Sequence, residues 1–304
     1  MKRLLLIAAL ALGACDANLD VGGVSVAPEQ AQTLAPADLP AFFDCLRERG
    51  EAVVSAHRGG PAPGFAENAI ATFENTLRHT PAFLEVDVAR TRDGALVLMH
   101  DDSVDRTTTG SGAVRDLTLA QVQALDLLDN DGGAASGHPP SLREALAWAE
   151  GRAILELDVK RGVSYEDVVR EVEAAGAMGR VVFITYSVDG AARLARVAPE
   201  AMIYVTIRSA DEIDRLVRRG VDVDRVVAWI GTEAPDAALV AALNERSIEA
   251  RAGVFGAARA RAFTEAAHAG VSILAVDATG GAVRALDAAD GAAGYSAMQC
   301  AAPH

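Results

Sequence analysis

The chain has 304 residues, with 28 basic against 42 acidic side chains and a formal net charge of −14. So acidic a chain lacks the broad positive field that nucleic acids or anionic lipid surfaces select. Its length exceeds the usual single domain but suits one α/β barrel of about 250 residues with an extension.

The extension comes first. Lys2 and Arg3 precede an apolar run, Leu4 to Leu12, and then small residues, Gly13 and Ala14, so residues 1–14 read as a cleaved export signal. The run is too short to span a bilayer, which takes about 20 apolar residues. Cys15, directly after the small residues, resembles the lipobox of bacterial lipoproteins, whose cysteine becomes the acylated N-terminus. An ordinary secretory signal with an incidental cysteine is the alternative. The lipobox reading implies an exported protein, anchored to a membrane by lipid only and facing the periplasm or cell envelope. Loss of Lys2 and Arg3 leaves 26 basic residues against 42 acidic ones and a charge of −16. Residues 15–38, rich in Asp, Asn, Gly, Pro and Gln, read as a flexible tether, and the folded domain is expected over 39–304. In an oxidising compartment Cys45 and Cys300 either pair, stapling the two ends of that domain, or stay as free thiols.

Beyond the tether, short Val- and Ile-rich runs alternate with Ala-rich segments of helical periodicity, the βαβ pattern of a parallel sheet. Strands are expected at 52–57, 83–89, 95–100, 153–159, 181–186, 202–207, 225–230, 248–254 and 272–277. Helices are expected at 68–79, 141–150, 164–176, 188–197, 209–219, 235–246 and 257–269. Nine strands compete for the eight places of a (β/α)8 TIM-type barrel. Between the second and third, "RTRDG" leaves no room for a helix. A doubly wound open sheet is the other architecture, and no Gly-rich dinucleotide fingerprint supports it.

Side chains alternate across a strand, so parity sorts the faces. Glu156, Asp158 and Lys160 oppose Leu155, Leu157 and Val159; Glu85 and Asp87 oppose Leu84, Val86 and Val88. Ser55 and His57 share a face, and His100 shares one with Leu96 and Leu98. Each strand carries its titratable groups at its C-terminal end, where barrels build their sites. Polar strand ends meeting solvent would explain one strand, and four together point to a site. Carboxylates crowded within about 4 Å repel by roughly 4 kcal/mol per pair at an effective dielectric near 20, so Glu85, Asp87 and Asp158 call for a hard cation, Ca²⁺ or Mg²⁺. Arg58 and Lys160 add positive charge, and the two histidines can carry protons near neutral pH. That combination is built to hold a phosphoryl group. Lys160 is the one lysine beyond Lys2 in an otherwise arginine-based chain; its compact ammonium can approach a single phosphate oxygen, where a guanidinium wants a planar, two-pronged partner.

Five blocks, "AHRGG" (56–60), "AENAIATFENTL" (66–77), "LEVDVARTRDGALVLMHDDSVDRTTTGSG" (84–112), "HPPSLREAL" (138–146) and "LELDVK" (155–160), together resemble the glycerophosphodiester phosphodiesterase family, a phospholipase-C-like barrel. The resemblance covers the first half of the folded region. It implies metal-dependent hydrolysis of small phosphodiesters, with His57 and His100 as acid and base in unassigned order, Glu85, Asp87 and Asp158 as metal ligands, and Arg58 and Lys160 on the phosphate. Glu67 and Asn68 match a supporting Glu-Asn pair that braces or coordinates the site. Asp158 stands where the family usually has Glu, with Glu156 as the lesser substitute; Ala66 and Ala69 stand where Pro and Thr are common. The late Trp-Thr-x-Asn and Thr-Asp signatures are missing, so the alcohol side of the substrate is unread. The other histidines, His79, His138, His268 and His304, belong to helix ends, loops and the terminus. The rivals are a phospholipase C or D acting on lipid headgroups, which an apolar lip would favour although Phe65 alone supplies none, and a catalytically silent binding barrel.

Overall fold

The computed structural model describes residues 33–256, 260–290 and 295–301. The leader, Cys15, most of the tether, the first residues of the helix expected at 257–269, and His304 lie outside the described residues. The packed chain begins earlier than expected: Leu34 is fully buried and bridges to Ala153.

Element order is α1 (Leu39–Arg49), β1 (Val53–Ala56), α2 (Ile70–His79), β2 (Phe83–Arg90), β3 (Leu96–Leu98), α3 (Leu119–Gln123), α4 (Leu142–Trp148), β4 (Leu155–Val159), α5 (Tyr165–Ala174), β5 (Val181–Thr185), α6 (Val188–Val197), β6 (Met202–Thr206), α7 (Ala210–Arg218), β7 (Val226–Trp229), α8 (Ala237–Asn244), β8 (Glu249–Val254), α9 (Ala260–His268), β9 (Val271–Val276), α10 (Thr279–Asp290) and α11 (Ala297–Cys300). Eight strands run parallel and close into a barrel, β1 pairing with both β2 and β9. The third candidate, 95–100, is not a stave. β3 lies antiparallel to β2, Val88 opposite Leu98 and Arg90 opposite Leu96. It takes the edge that β1 uses only as far as Leu84. The expected four-stave site is therefore three staves plus a hairpin arm, and His100 follows β3 in the turn beyond it instead of lining the lumen. The "RTRDG" turn closes on itself, Thr91 N–H donating to Ala95 O at 3.0 Å.

Outward-facing Val54, Ala56, Leu84, Val86, Leu155, Leu157, Leu274 and Val276 pack under the helices in one continuous core. The lumen is layered. Its lower part holds Val53, Phe83, Ile154, Val182, Met202, Val227 and Ile273, sealed by Leu39, Phe42, Phe43 and Leu46 of α1. This helix, absent from the sequence reading, is started by the Asp38 carboxylate accepting from Ala41 N–H at 3.1 Å and by Pro40 in the first turn. Phe42 and Phe43 meet Phe83 at ring distances of 5.5 and 6.0 Å in tilted and edge-on contacts that suit aromatic quadrupoles. Cys45 of α1 and Cys300 of α11 are disulfide-bonded, with Cα atoms 5.7 Å apart.

Candidate active site

The upper lumen begins with a buried ion pair. Arg251 on β8 donates from Nη2 to Glu156 Oε2 at 2.7 Å and to Ser55 Oγ at 3.1 Å, and Tyr204 O–H donates to Glu156 Oε1 at 2.9 Å. The guanidinium lies 4.8 Å over the Tyr204 ring and 5.2 Å over Trp229, a cation–π sandwich at the floor of the barrel mouth. Glu156 is thus spoken for within the barrel and is not a spare metal ligand. A buried charge needs such a partner.

One layer higher, Glu85, Asp87 and Asp158 offer carboxylate oxygens all within 4.8 Å of one another, each buried. Burial, with Asp87 and Asp158 alongside, pushes the Glu85 carboxyl well above the ordinary range. Lys160 Nζ offsets part of this repulsion, bonding Asp87 Oδ1 at 2.6 Å and Asp158 Oδ2 at 2.7 Å. Burial lowers the Lys160 ammonium, yet the two aspartates outweigh it and hold it above its usual value. One ammonium, with the Arg58 guanidinium 3.9 Å from Asp87 and shared with Glu67, still leaves three acids short of positive charge. All-oxygen donors of this kind fit a hard divalent cation. Tyr186 O–H caps the remaining Asp158 oxygen.

The loop after β1 is shaped around these acids. Arg58 adopts φ 52° and Asn68 φ 58°, left-handed conformations that cost a non-glycine residue free energy. The kink aims Arg58 N–H at Glu85 Oε2, 2.7 Å away, and lets Asn68 N–H reach Arg58 O at 2.9 Å. Asn68 then grips Asp87 twice, accepting from its N–H at 2.9 Å and donating to Oδ2 at 2.7 Å. Gly59 is needed here: at φ 81° a Cβ would fall 2.3 Å from the Phe73 ring. Glu67 does not join the acid cluster. It braces, accepting from Arg58 Nη1 at 2.9 and 3.1 Å and from Arg106 at 2.7 and 3.0 Å. Burial would raise the Glu67 carboxyl, but Arg106 and Arg58 together bring it below its usual range. Arg106 also clasps Asp101, Nε to Oδ2 at 2.7 Å.

Both histidines are oriented alike. His57 Nδ1 lies 2.8 Å from Asp277 Oδ1 and His100 Nδ1 lies 2.7 Å from Asp101 Oδ1. A nitrogen facing a carboxylate carries the proton, so Nε2 is left free to accept or donate one. His57 opens on a cavity of about 190 Å³ with Glu85 and Asp158. His100 opens on another of about 230 Å³ with Lys160. The structure brings nine of the ten expected residues to this rim, Glu156 alone lying below it.

Apart from Asp101 and Arg106, which stood inside the third block without a site role, the residues that sequence reasoning missed come from the second half. Asp277 follows Val276, so a search for a Thr-Asp pair passes over it. Arg251 follows Glu249 on a strand otherwise of Ala, Gly and Val, and Tyr204 is the one aromatic of β6, neither within a recognisable block. Tyr186, Trp229 and Phe255 sit on three separate strand ends and gather over the lumen, where Gly253 leaves the room: a Cβ there would fall 2.4 Å from Phe255 and 2.7 Å from Trp229. Phe255 also stacks 4.9 Å from His57. The expectation of no aromatic lip is corrected by this grouping, with Tyr186 60% and Phe255 39% exposed.

The pattern of the glycerophosphoryl diester phosphodiesterase family matches residues 57–275, from His57 into β9. The chain belongs to that family. A family relative from Caldanaerobacter subterraneus, a glycerophosphodiester phosphodiesterase, is 30% identical over 158 residues, half of this chain and 65% of that one. The matched stretches span only 49–65% of the first curated relatives. Among solved structures, a family member from Parabacteroides distasonis superposes with TM-score 0.77 at 26% identity, covering 85% of this chain and 95% of that one. The fold also matches a phosphodiesterase from Oleispira antarctica in complex with sn-glycerol-3-phosphate, TM-score 0.64 at 20% identity, over 79% of this chain and 99% of that one.

Proposed function

We propose that this chain hydrolyses glycerophosphodiesters to glycerol 3-phosphate and an alcohol. The observation that carries the reading is the crowded, cation-poor triad of Glu85, Asp87 and Asp158 beside two carboxylate-oriented histidines. The family relatives and the Oleispira protein's product support the choice of substrate. The three carboxylates would hold Ca²⁺ or Mg²⁺, which, when bound, would polarise a phosphoryl oxygen and neutralise developing charge.

The chain's own groups do the rest. Arg58 and Lys160 hold the phosphate's non-bridging oxygens. A glycerol hydroxyl next to the ester gives its proton to one histidine Nε2 as its oxygen bonds to phosphorus, and the other histidine's Nε2–H protonates the departing alcohol oxygen as that P–O bond breaks. Water then opens the cyclic ester with the two roles exchanged. Arg106 and Glu67 keep Arg58 and Asp101 in register for both steps. The Cys15 anchor and the envelope location belong to the same proposal, resting on the leader; no helix among the described residues is long and apolar enough to cross a membrane.

The test is hydrolysis of glycerophosphocholine and of lysophosphatidylcholine by the purified protein, with EDTA and after Ca²⁺ or Mg²⁺ is restored. The reading expects turnover of the first that EDTA stops and a divalent ion returns. Faster turnover of the second would favour the lipid-directed alternative, which the exposed Tyr186 and Phe255 recommend. No turnover of either by correctly folded protein would leave a binding barrel and overturn the proposal.

A further inference from the structure

The triad and Lys160 lie between two cavities of different character. The first, inside the barrel mouth, is walled by Ile184, Tyr186, Trp229 and Phe255 and reaches Glu85 and Asp158. The second opens at the rim between three loops and is lined by Arg90, His100, Asp101, Asp102, Arg115, Lys160 and Arg161. Lys160 borders the second and bonds Asp158, which borders the first, so a phosphate held at Lys160 faces both. A phosphodiester has two ester arms. The compact glycerol arm, with a carbon face for Trp229 and Phe255, suits the aromatic cavity beside Glu85 and Asp158. The other arm is left with the charged one.

Resting on the preceding assignment, we propose that the cavity at His100 is the subsite for the leaving alcohol, and that it prefers alcohols bearing a carboxylate, such as serine, over those bearing a trimethylammonium group. The charges facing it decide this. Lys160 is committed to Asp87 and Asp158, His100 and Asp101 to each other and to Arg106, and Arg90 donates to Asp167 at 2.9 Å. What remains is Arg115 and Arg161 against Asp102. Among the described residues Arg115 has only the adjacent Asp116 at 4.0 Å, both well exposed, a pairing worth little in water. Arg161 makes no ion pair among the described residues. The uncommitted charge is therefore positive, on a chain otherwise strongly negative, and Asp102 stands by to meet the ammonium of an amino-acid alcohol. Exposure keeps each contact weak, so the two arginines together are expected to contribute about threefold to tenfold in kcat/KM.

The experiment measures kcat/KM for glycerophosphoserine and glycerophosphocholine at low and moderate salt. The wild-type ratio is expected to favour serine by about threefold to tenfold, to fall toward one in the Arg115→Gln/Arg161→Gln variant, and to invert in Arg161→Glu. Arg143→Gln, an exposed arginine on α4 outside the cavity, separates a local effect from one of net charge: its ratio should stay at the wild-type value. A wild-type ratio near one, or a ratio that the cavity variants do not move, or one that Arg143→Gln moves equally, overturns the subsite. Failure of the parent assignment looks different, since neither diester would then turn over at all.

Discussion

The lower and upper halves of the barrel lumen are made from the same strands and obey opposite rules. Below, Phe83, Ile154, Val182 and Ile273 close on Phe42 and Phe43, and the α1 plug is stapled by Cys45–Cys300. Above, two to four residues further along β2 and β4, Glu85, Asp87 and Asp158 crowd together, and Lys160 with the more distant Arg58 guanidinium does not balance them. Burial of apolar area stabilises the first half. The second half consumes stability, holding like charges and two left-handed residues in place for a ligand.

The contrast is sharpest where chemistry is removed from the top. His57→Ala and Asp87→Asn are each expected to lower kcat/KM by about 10²–10⁴-fold, with the Asp87→Asn protein as stable as wild type or more so in the absence of divalent ions, since a repelling charge is gone. Melting curves with and without EDTA, beside initial rates, check both parts. An Asp87→Asn variant that melts well below wild type without metal would mean the triad is a structural element and would erase the distinction.

Removing packing from the bottom should do the reverse. Phe42→Ala is expected to cost about 3–5 kcal/mol, the range for emptying a buried aromatic site, while the folded fraction keeps its kcat/KM. Denaturant unfolding and active-site-normalised rates test it. Opening the staple with Cys300→Ser should cost less, about 2–4 kcal/mol, again without a change in turnover. A rate loss in either variant at full folding would show that the plug also tunes the mouth.

The same division explains what the sequence disclosed. Parity along 83–89 and 153–160 placed Glu85, Asp87, Asp158 and Lys160 on the lumen face because those strands alternate charged with apolar residues. His57 and His100 stood in recognisable blocks. β6 to β9 are harder to read: Tyr204 and Trp229 stand in largely apolar strands, as buried parallel strands are, Glu249 and Arg251 alternate with alanines but match no recognisable block, and only closure of the barrel brings them together. The α1 plug falls inside the domain expected at 39–304, but no helix was assigned before 68, because an N-terminal helix outside the βαβ alternation carries no barrel signal. β3 was misplaced because a short apolar run says nothing of its direction, and the five-residue turn before it, which forces an antiparallel return, was read only as a missing helix.

The smallest effect lies at the seam. Glu249, at the foot of β8, is buried beside Arg47 of the plug, and burial pushes its carboxyl up to about 7 despite that partner. Its folded value lies above its unfolded one, so the folded state binds the extra proton between about pH 4.5 and 7. Its stabilisation is whole below that window and is lost as the pH rises through it. Glu249→Gln keeps a neutral, hydrogen-bonding side chain and removes the titration. It should match wild type at pH 4.5 and exceed it at pH 8 by on the order of 1–3 kcal/mol, read as the difference between the two proteins' unfolding free energies so that the triad's own titration cancels. If wild type is instead the more stable at pH 8, the Arg47–Glu249 pair is a net gain from charge, and the lower lumen uses ionic attraction as well as packing to hold its plug.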